Sequence, residues 1–417
     1  MQRTVGVGPL KQHERQFLCR VLVCDVRVQS AAKWLWNHTP NRCQCSHTQF
    51  RYARPLIALR PVHNVVPDCG ARLDQEDPKV DSSRIRLGLV GAGSHARRNI
   101  LPAITFLPAQ IVAIADTDAA RAGAVASEYG ARAFSDAMTM YESGEIDAVL
   151  LCVSPNAHPD LAIQAFGAGL DVWSEKPAAT ASADVERMIA ARGDRVGMVG
   201  YKKAFMPAVS KAIELLGRDD EGPLRSALGL YPVQLPYFAE PPFPVTGWLT
   251  SGCHPVSLLR AVGGPVVSVT SHRDNGGGGV CIMRHASGAL TNLHLSLGAP
   301  KFQPCERYLF VTDRHSIEID NGRRLTFQRG FDVAYDEDFT FAPPGLDGGA
   351  IVWEAQDTMA TMQGKSEVTQ GIYNELLAFC TAVRTRENPA VGSLEFALDV
   401  TRIYEAALLS DGTPISL

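Results

Sequence analysis

Three groups of residues in this 417-residue chain are spaced for chemistry. In Arg84–Ala96, RIRLGLVGAGSHA, an apolar run (Ile85, Leu87, Leu89, Val90) stops at Gly91, and Gly93 and Ala96 follow in G-x-G-x-x-A order. Helix-compatible sequence, Arg97 to Phe106, comes next. This order suits a dinucleotide pyrophosphate. Gly91 allows a tight turn out of a strand, and Gly93 lets the backbone approach the phosphates without a Cβ. Ala96 lets the helix pack on the sheet while its free N–H groups face the anion. The second group is Asp116, at the end of the apolar run QIVAIA (Gln110–Ala115). It stands about 20 residues past the loop, where a carboxylate accepts from the adenosine ribose hydroxyls. An acid there repels a 2′-phosphate, so the spacing favours NAD over NADP. The third is Glu175-Lys176-Pro177, after the run Asp171–Ser174. Ligands of open α/β sheets bind at that edge, and Pro177 restrains the turn so that Lys176 can be aimed into a cleft.

The elements that must position these groups follow from periodicity. Strands are expected at Arg84–Val90, Gln110–Ala115, Ala148–Val153, Asp171–Ser174 and Val196–Val199. Helices are expected near Asp118–Tyr129, Ser135–Ser143, Pro159–Gly167 and Ser182–Arg192. Strand–helix alternation implies a parallel, doubly wound sheet. It breaks near Leu216. Short β-rich runs then extend from Pro223 to about Trp353, among them Val266–Ser271, Gly279–Met283, Leu290–Leu297, Arg307–Val311 and Ser316–Ile319. Gly-rich and DNGR turns divide them, as in a mostly antiparallel sheet. Helices at Gly371–Arg386 and Leu394–Leu409 close the chain. The fold class is α/β: a Rossmann domain over 84–203, then an α+β domain with a large open sheet over 204–417.

Composition sets outer limits. The chain is 46% hydrophobic and 20% charged, as in globular proteins. A net charge of −4 argues against a nucleic-acid partner. No apolar run approaches the roughly 18–20 residues of a membrane span. The ten cysteines show no paired C-x-x-C pattern, so neither a metal site nor a disulfide framework is expected, and the cytoplasm is the expected compartment. Met1–Val66 is rich in Arg, poor in acids and without sustained periodicity, and Asp74–Ser83 reads as a polar linker. Residues 1–83 are read as an extension, disordered or read from a misplaced start, and no function is assigned to them.

Seven segments together resemble the Gfo/Idh/MocA family of NAD(P)-dependent oxidoreductases, in that family's order, from about Arg84 to Leu417. GAGSHA (91–96) is similar to its cofactor loop, IADTDAARA (114–122) to its ribose turn and SPNAH (154–158) to its Pro-Asn…His segment. WSEKP (173–177) resembles its lysine motif and VGYKKAFMPAV (199–209) its interdomain hinge. SGCHPVSLL (251–259) resembles its D-x-G-x-H helix, and FALDVTRIYEAALLSDGTPISL (396–417) its closing helix and tail. The resemblance implies that Gly91, Gly93, Ser94, His95, Ala96, Asp116, Ser154, Pro155, Asn156, His158, Glu175 and Lys176 hold NAD. It implies Lys176 and His254 as catalytic residues acting on a sugar, sugar acid or cyclitol, in a homodimer or homotetramer.

Tyr201, Lys202, Tyr231, Trp248 and Thr250 are the candidates for the remaining substrate pocket, because aromatic faces and hydroxyl-binding groups suit a sugar. The chain departs from the family where an Asp precedes the histidine by one helical turn: here it is Thr250. It also has Lys202, Lys203 and Ala204 where many members carry arginines after the hinge glycine. Two other readings accommodate these residues. One retains NAD for glycoside cleavage or epimerisation; the other is a non-catalytic NAD-binding regulator.

Overall fold

The apolar runs from residue 84 onward form a parallel sheet of six strands: β1 (Ile85–Val90), β2 (Ala109–Ala115), β3 (Arg132–Phe134), β4 (Ala148–Leu151), β5 (Asp171–Glu175) and β6 (Gly197–Gly200). The computed structural model describes residues 84–217, 222–296, 305–330, 349–355 and 362–417. The readings made on Met1–Val66 and Asp74–Ser83 therefore fall outside the described residues. Strand order is β3-β2-β1-β4-β5-β6. Direction along the sheet reverses between β1 and β4, so a crevice opens beyond their carboxyl ends, and such switch points receive ligands.

The glycine loop leads into a π-turn, Ala96–Ile100, and a short helix α1 (Leu101–Ile104), where the sequence reads as one helix from Arg97 to Phe106. Pro102 has no N–H to give the carbonyl of residue 98, so a plain α ladder cannot pass this point. Helix α2 (Ala119–Tyr129) starts at Asp118, whose side chain accepts from the Arg121 N–H at 3.1 Å, and stops at Gly130 in the left-handed region. Helices α3 (Ala137–Tyr141), α4 (His158–Gly167) and α5 (Ser182–Arg192) complete the crossovers. The hinge turn Lys202–Phe205 then feeds α6 (Pro207–Leu216). The Ser182 hydroxyl does not cap α5 but donates to Glu405 at 2.7 Å.

The second sheet holds β7 (Leu224–Tyr231), β8 (Val266–Arg273), β9 (Gly279–His285), β10 (Leu290–Leu295), β11 (Arg307–Thr312), β12 (His315–Asp320), β13 (Arg324–Arg329), β14 (Ala350–Glu354) and β15 (Ile415–Ser416). Its order is β14-β13-β12-β11-β7-β10-β9-β8-β15, antiparallel except where β7 meets β10. Strict alternation along β10 turns Thr291, Leu293 and Leu295 inward. There Leu293 and Leu295 share one core with α7 (Cys253–Gly263) and α10 (Leu394–Leu409). After the short α8 (Ser366–Thr369), α9 (Ile372–Thr385) returns to the first sheet. Its Ile372, Leu376 and Phe379 cluster with Leu89, Leu150, Trp173 and Met198. No helix among the described residues is long and apolar enough to cross a membrane.

Gly91 carries the sharpest local demand: its φ is +90°, and a Cβ there would run into the Cys152 carbonyl. Gly91→Ala is expected to cost on the order of 1–3 kcal/mol of stability from backbone strain alone. A urea-unfolding midpoint equal to wild type would contradict this.

Candidate active site

The carboxyl ends of β1, β2, β4 and β5 gather the residues picked out by spacing. After β1, Gly93 has open space where its Cβ would point, Ser94 and His95 are exposed, and Ala96 is buried against the sheet. The protein's own packing therefore does not require glycine at 93, whereas a closely approaching backbone ligand would. A cleft of about 430 Å³ lies beside this loop, lined by Ala92, Gly93, Ser94, Arg121 and Tyr129 among others. These features fit a bound dinucleotide.

After β2, the buried Asp116 carboxylate is already fully engaged. It accepts from the Ala92 N–H (2.9 Å), the Asp118 N–H (2.9 Å) and the Arg121 guanidinium (2.9 and 2.8 Å). These donors account for the roughly four acceptor positions of a carboxylate. The Arg121 bond is the largest cause holding the Asp116 carboxyl down at about 2. Ribose hydroxyls can reach Asp116 only as Arg121 turns away.

After β4, Ser154 and Asn156 are exposed and Pro155 is half-buried. His158 is wholly buried instead, and its Nδ1–H donates to the Pro177 carbonyl at 2.9 Å. It pins the lysine turn from behind rather than facing the crevice. At the end of β5, Glu175 accepts from His95 Nε2 at 2.7 Å and from the Lys176 N–H at 3.0 Å. The glycine loop and the lysine turn are thus joined directly.

Lys176 Nζ donates to the Thr250 carbonyl at 3.1 Å, across 74 positions of sequence. Thr250 lies in a π-turn, Trp248–Gly252, that runs into α7 and His254. Its hydroxyl donates back to the Thr246 carbonyl at 3.1 Å, so what Thr250 offers the site is its carbonyl. His254 is buried, and its Nδ1 has no partner among the described residues. Burial, followed by the charges of Lys176, Lys202 and Lys203, holds its imidazole well below the ordinary histidine range.

Two expected pocket residues are placed elsewhere. Tyr201 is wholly buried against Phe396, and Trp248 is wholly buried against Tyr404, donating to its carbonyl at 3.3 Å. Both belong to the core beneath the site. Tyr231 is half-buried at the end of β7, and Lys202 donates to Gln370 at 2.7 Å. Sequence reasoning did not single out Arg121, Glu306 or Glu375. Glu306 accepts from Lys203 at 2.5 Å and from the Tyr308 hydroxyl at 2.8 Å. Glu375 is buried in α9.

A family model described as an oxidoreductase family with an NAD-binding Rossmann fold, Gfo/Idh/MocA, matches residues 85–201. An inositol 2-dehydrogenase of Saccharopolyspora erythraea is 30% identical over 256 residues, covering 60% of this chain and 69% of that protein. The chain belongs to the Gfo/Idh/MocA oxidoreductase family. A D-xylose 1-dehydrogenase (NADP(+)) of Haloferax volcanii is 26% identical, covering 77% of this chain and 96% of its own. In structure, a levoglucosan dehydrogenase bound to NADH and levoglucosan superposes with a TM-score of 0.66 at 18% identity, over 80% of this chain and 99% of that one. That likeness bears on the fold: a parallel Rossmann sheet followed by a mostly antiparallel one. The protein is an oxidoreductase of this family with an NAD(P)-binding Rossmann domain.

The depressed Asp116 carboxyl has a sign that can be checked. Its stabilising contribution is present above the ordinary carboxylate value of about 3.9 and is lost as pH falls toward about 2. Arg121→Gln should move the acid-unfolding limb to higher pH. An unmoved limb would show that the backbone donors alone hold the anion.

Proposed function

We propose that the protein is an NAD-dependent dehydrogenase of a sugar, sugar acid or cyclitol, with Lys176 and His254 at the reacting carbon. The observation that carries this reading is the reach of Lys176 Nζ to Thr250, one helical turn before His254. Two groups from different domains are held at one place, beyond the strand ends where a dinucleotide would lie. Inositol, xylose and levoglucosan in the relatives' names support a polyhydroxylated substrate.

When bound, the nicotinamide supplies the hydride acceptor or donor. The remaining work belongs to this chain. Lys176 hydrogen-bonds the reacting oxygen and stabilises negative charge on it. Burial, and after it the three neighbouring ammonium groups, keep His254 neutral, and neutral imidazole accepts the hydroxyl proton during oxidation. No carboxylate is needed to orient it for that direction. Thr250 aims Lys176 through its carbonyl. Hydrogen-bonding polyol hydroxyls is left to Lys202 and Tyr231 rather than to Tyr201 or Trp248.

Cofactor choice turns on the Asp116–Arg121 pair. We infer that NAD is preferred, because Asp116 is an anion throughout the neutral range and the turn is built around it. Arg121 is the group that would hold a 2′-phosphate by turning outward. The exposed Leu228, Leu290, Ile351 and Val352 of the second sheet support a homo-oligomer built on that sheet.

Lys176→Ala is expected to abolish NAD reduction across a panel of sugars, sugar acids and inositols while leaving NAD affinity within a few-fold. Equal loss of cofactor binding would make the lysine structural. For wild type, kcat/KM for oxidation should stay level as pH falls through about 6.5, the ordinary histidine value. A limb at that value, absent in His254→Ala, would contradict the neutral-base reading. Arg121→Gln should weaken NADP more than NAD, and Asp116→Ala should shift the affinity ratio toward NADP. An unchanged ratio in both would remove this pair from cofactor choice.

A further inference from the structure

Positive charge gathers where the strand ends of the first sheet meet α7, and much of it is unmatched. Glu175 and Gly200 face each other at the last register position of β5 and β6. Lys176 and Lys202 therefore leave neighbouring strand ends, and such strands lie about 4.8 Å apart. Both segments then reach the element that carries His254. Lys176 Nζ donates to the Thr250 carbonyl at 3.1 Å, and the hinge turn Lys202–Phe205 packs on α7.

The three lysines are partnered unequally. Lys203 is matched by a charge, in an ion pair with Glu306 whose two side chains are mostly buried. Lys176 and Lys202 are half-buried too, but Lys176 has a backbone carbonyl and Lys202 the Gln370 amide oxygen at 2.7 Å, and both acceptors are neutral. Among the described residues no carboxylate forms an ion pair with either ammonium. The carboxyls of this region are placed otherwise: Glu175 on His95, Asp116 on Arg121, and Glu375 buried on α9. The turn Trp248–Gly252 and α7 hold no acidic residue, and the buried His254 has its Nδ1 unpartnered there. An ammonium drawn partly out of water and given only neutral acceptors is suited to receive an anion.

We propose that the substrate is an anion, a sugar acid, and that Lys202 meets its carboxylate while Lys176 meets the reacting hydroxyl. The proposal rests on the reading of the active site above and narrows its substrate class. The division follows from the partners. Lys176 is aimed by Thr250, one helical turn before His254, and so serves the reacting carbon. Lys202 comes from the adjacent strand end with an ammonium that a carboxylate engages in a charge-assisted bond, stronger than the one it makes to Gln370. A neutral sugar leaves that charge as unmatched as it is in the free protein. Lys202 is therefore the residue that separates acids from neutral polyols of the same shape.

The test uses matched pairs in which a carboxylate replaces a CH₂OH group: glucuronate with glucose, galacturonate with galactose, gluconate with glucitol. Each is assayed by NAD reduction with the full chain. In the best pair kcat/KM should be about tenfold or more higher for the acid, mainly through KM. The advantage should shrink as salt is raised from about 0.05 to about 0.5 M. Lys202→Gln should erase the acid-to-neutral ratio and Lys202→Arg should restore most of it, a pattern that mere structural damage would not give. Turnover of neutral sugars with no advantage for any acid overturns the proposal and leaves the dehydrogenase reading standing. An acid advantage that survives in Lys202→Gln overturns the role of Lys202, and faster turnover of sugar phosphates than of sugar acids overturns the carboxylate class. Should the glutamine variant not fold, the wild-type ratios and their salt dependence decide alone. Absence of NAD reduction with every member of the panel would instead overturn the underlying reading, and this proposal with it.

Discussion

A parallel sheet must be covered on both faces, and this requirement ties the two halves of the protein together. One face of the first sheet is covered by its own crossovers, through Met140, Phe166, Val185 and Met188. On the other face Ile100, Leu101 and Ile104 lie with Leu89, but Trp173 and Met198 on β5 and β6 share their cluster with a helix from far along the chain. Ile372, Leu376 and Phe379 supply that cover. Full burial of such side chains is worth about 1.5–3 kcal/mol each. Their sum is comparable with the whole net stability of a domain, about 5–15 kcal/mol. The dinucleotide-binding sheet is therefore not self-sufficient, although its six strands end by Gly200.

The same constraint shapes the electrostatics of the site. Gln370, just before helix α9, accepts from Lys202, and Asn374 of α9 donates to the Phe205 carbonyl, so the segment that closes the sheet also ties down the hinge turn. Three lysines meet one histidine there. In the wider family an aspartate would balance some of that charge. Here the nearby carboxyls stand elsewhere: Glu306 on Lys203, Glu175 on His95, and Glu375 buried on α9. The imidazole is left as a neutral acceptor among cations.

Much of this was legible in the residues because the relevant constraints are local. A glycine turn after an apolar strand, a carboxylate at the next strand end and a lysine before proline each report their surroundings directly. The two closing helices and both sheets were also readable from period. Strand β3 was not: it has three residues, and only Phe134 is buried, so no apolar run marks it. The π-turn at Ala96–Ile100 depends on one proline interrupting a hydrogen-bond ladder, which pattern alone does not weigh. Side-chain direction was the other blind point. Tyr201 and Trp248 adjoin motif residues in sequence, but their large apolar rings are taken by Phe396 and Tyr404 of α10, which sequence adjacency cannot reveal. Asp116 was found by spacing, while its bond to Arg121 needed a helix start in three dimensions. Glu375 resembled any helical glutamate, and only its burial sets it apart.

The return of α9 to the first sheet also has a meaning for how the protein is made. Ribosomes add about 5–20 residues per second, and roughly 170 residues separate the end of β6 from the start of α9. For something like 10–30 seconds a nascent chain holds a strand pair whose Trp173 and Met198 face has no cover. That interval is a window for chaperone binding and for misassembly between neighbouring nascent chains.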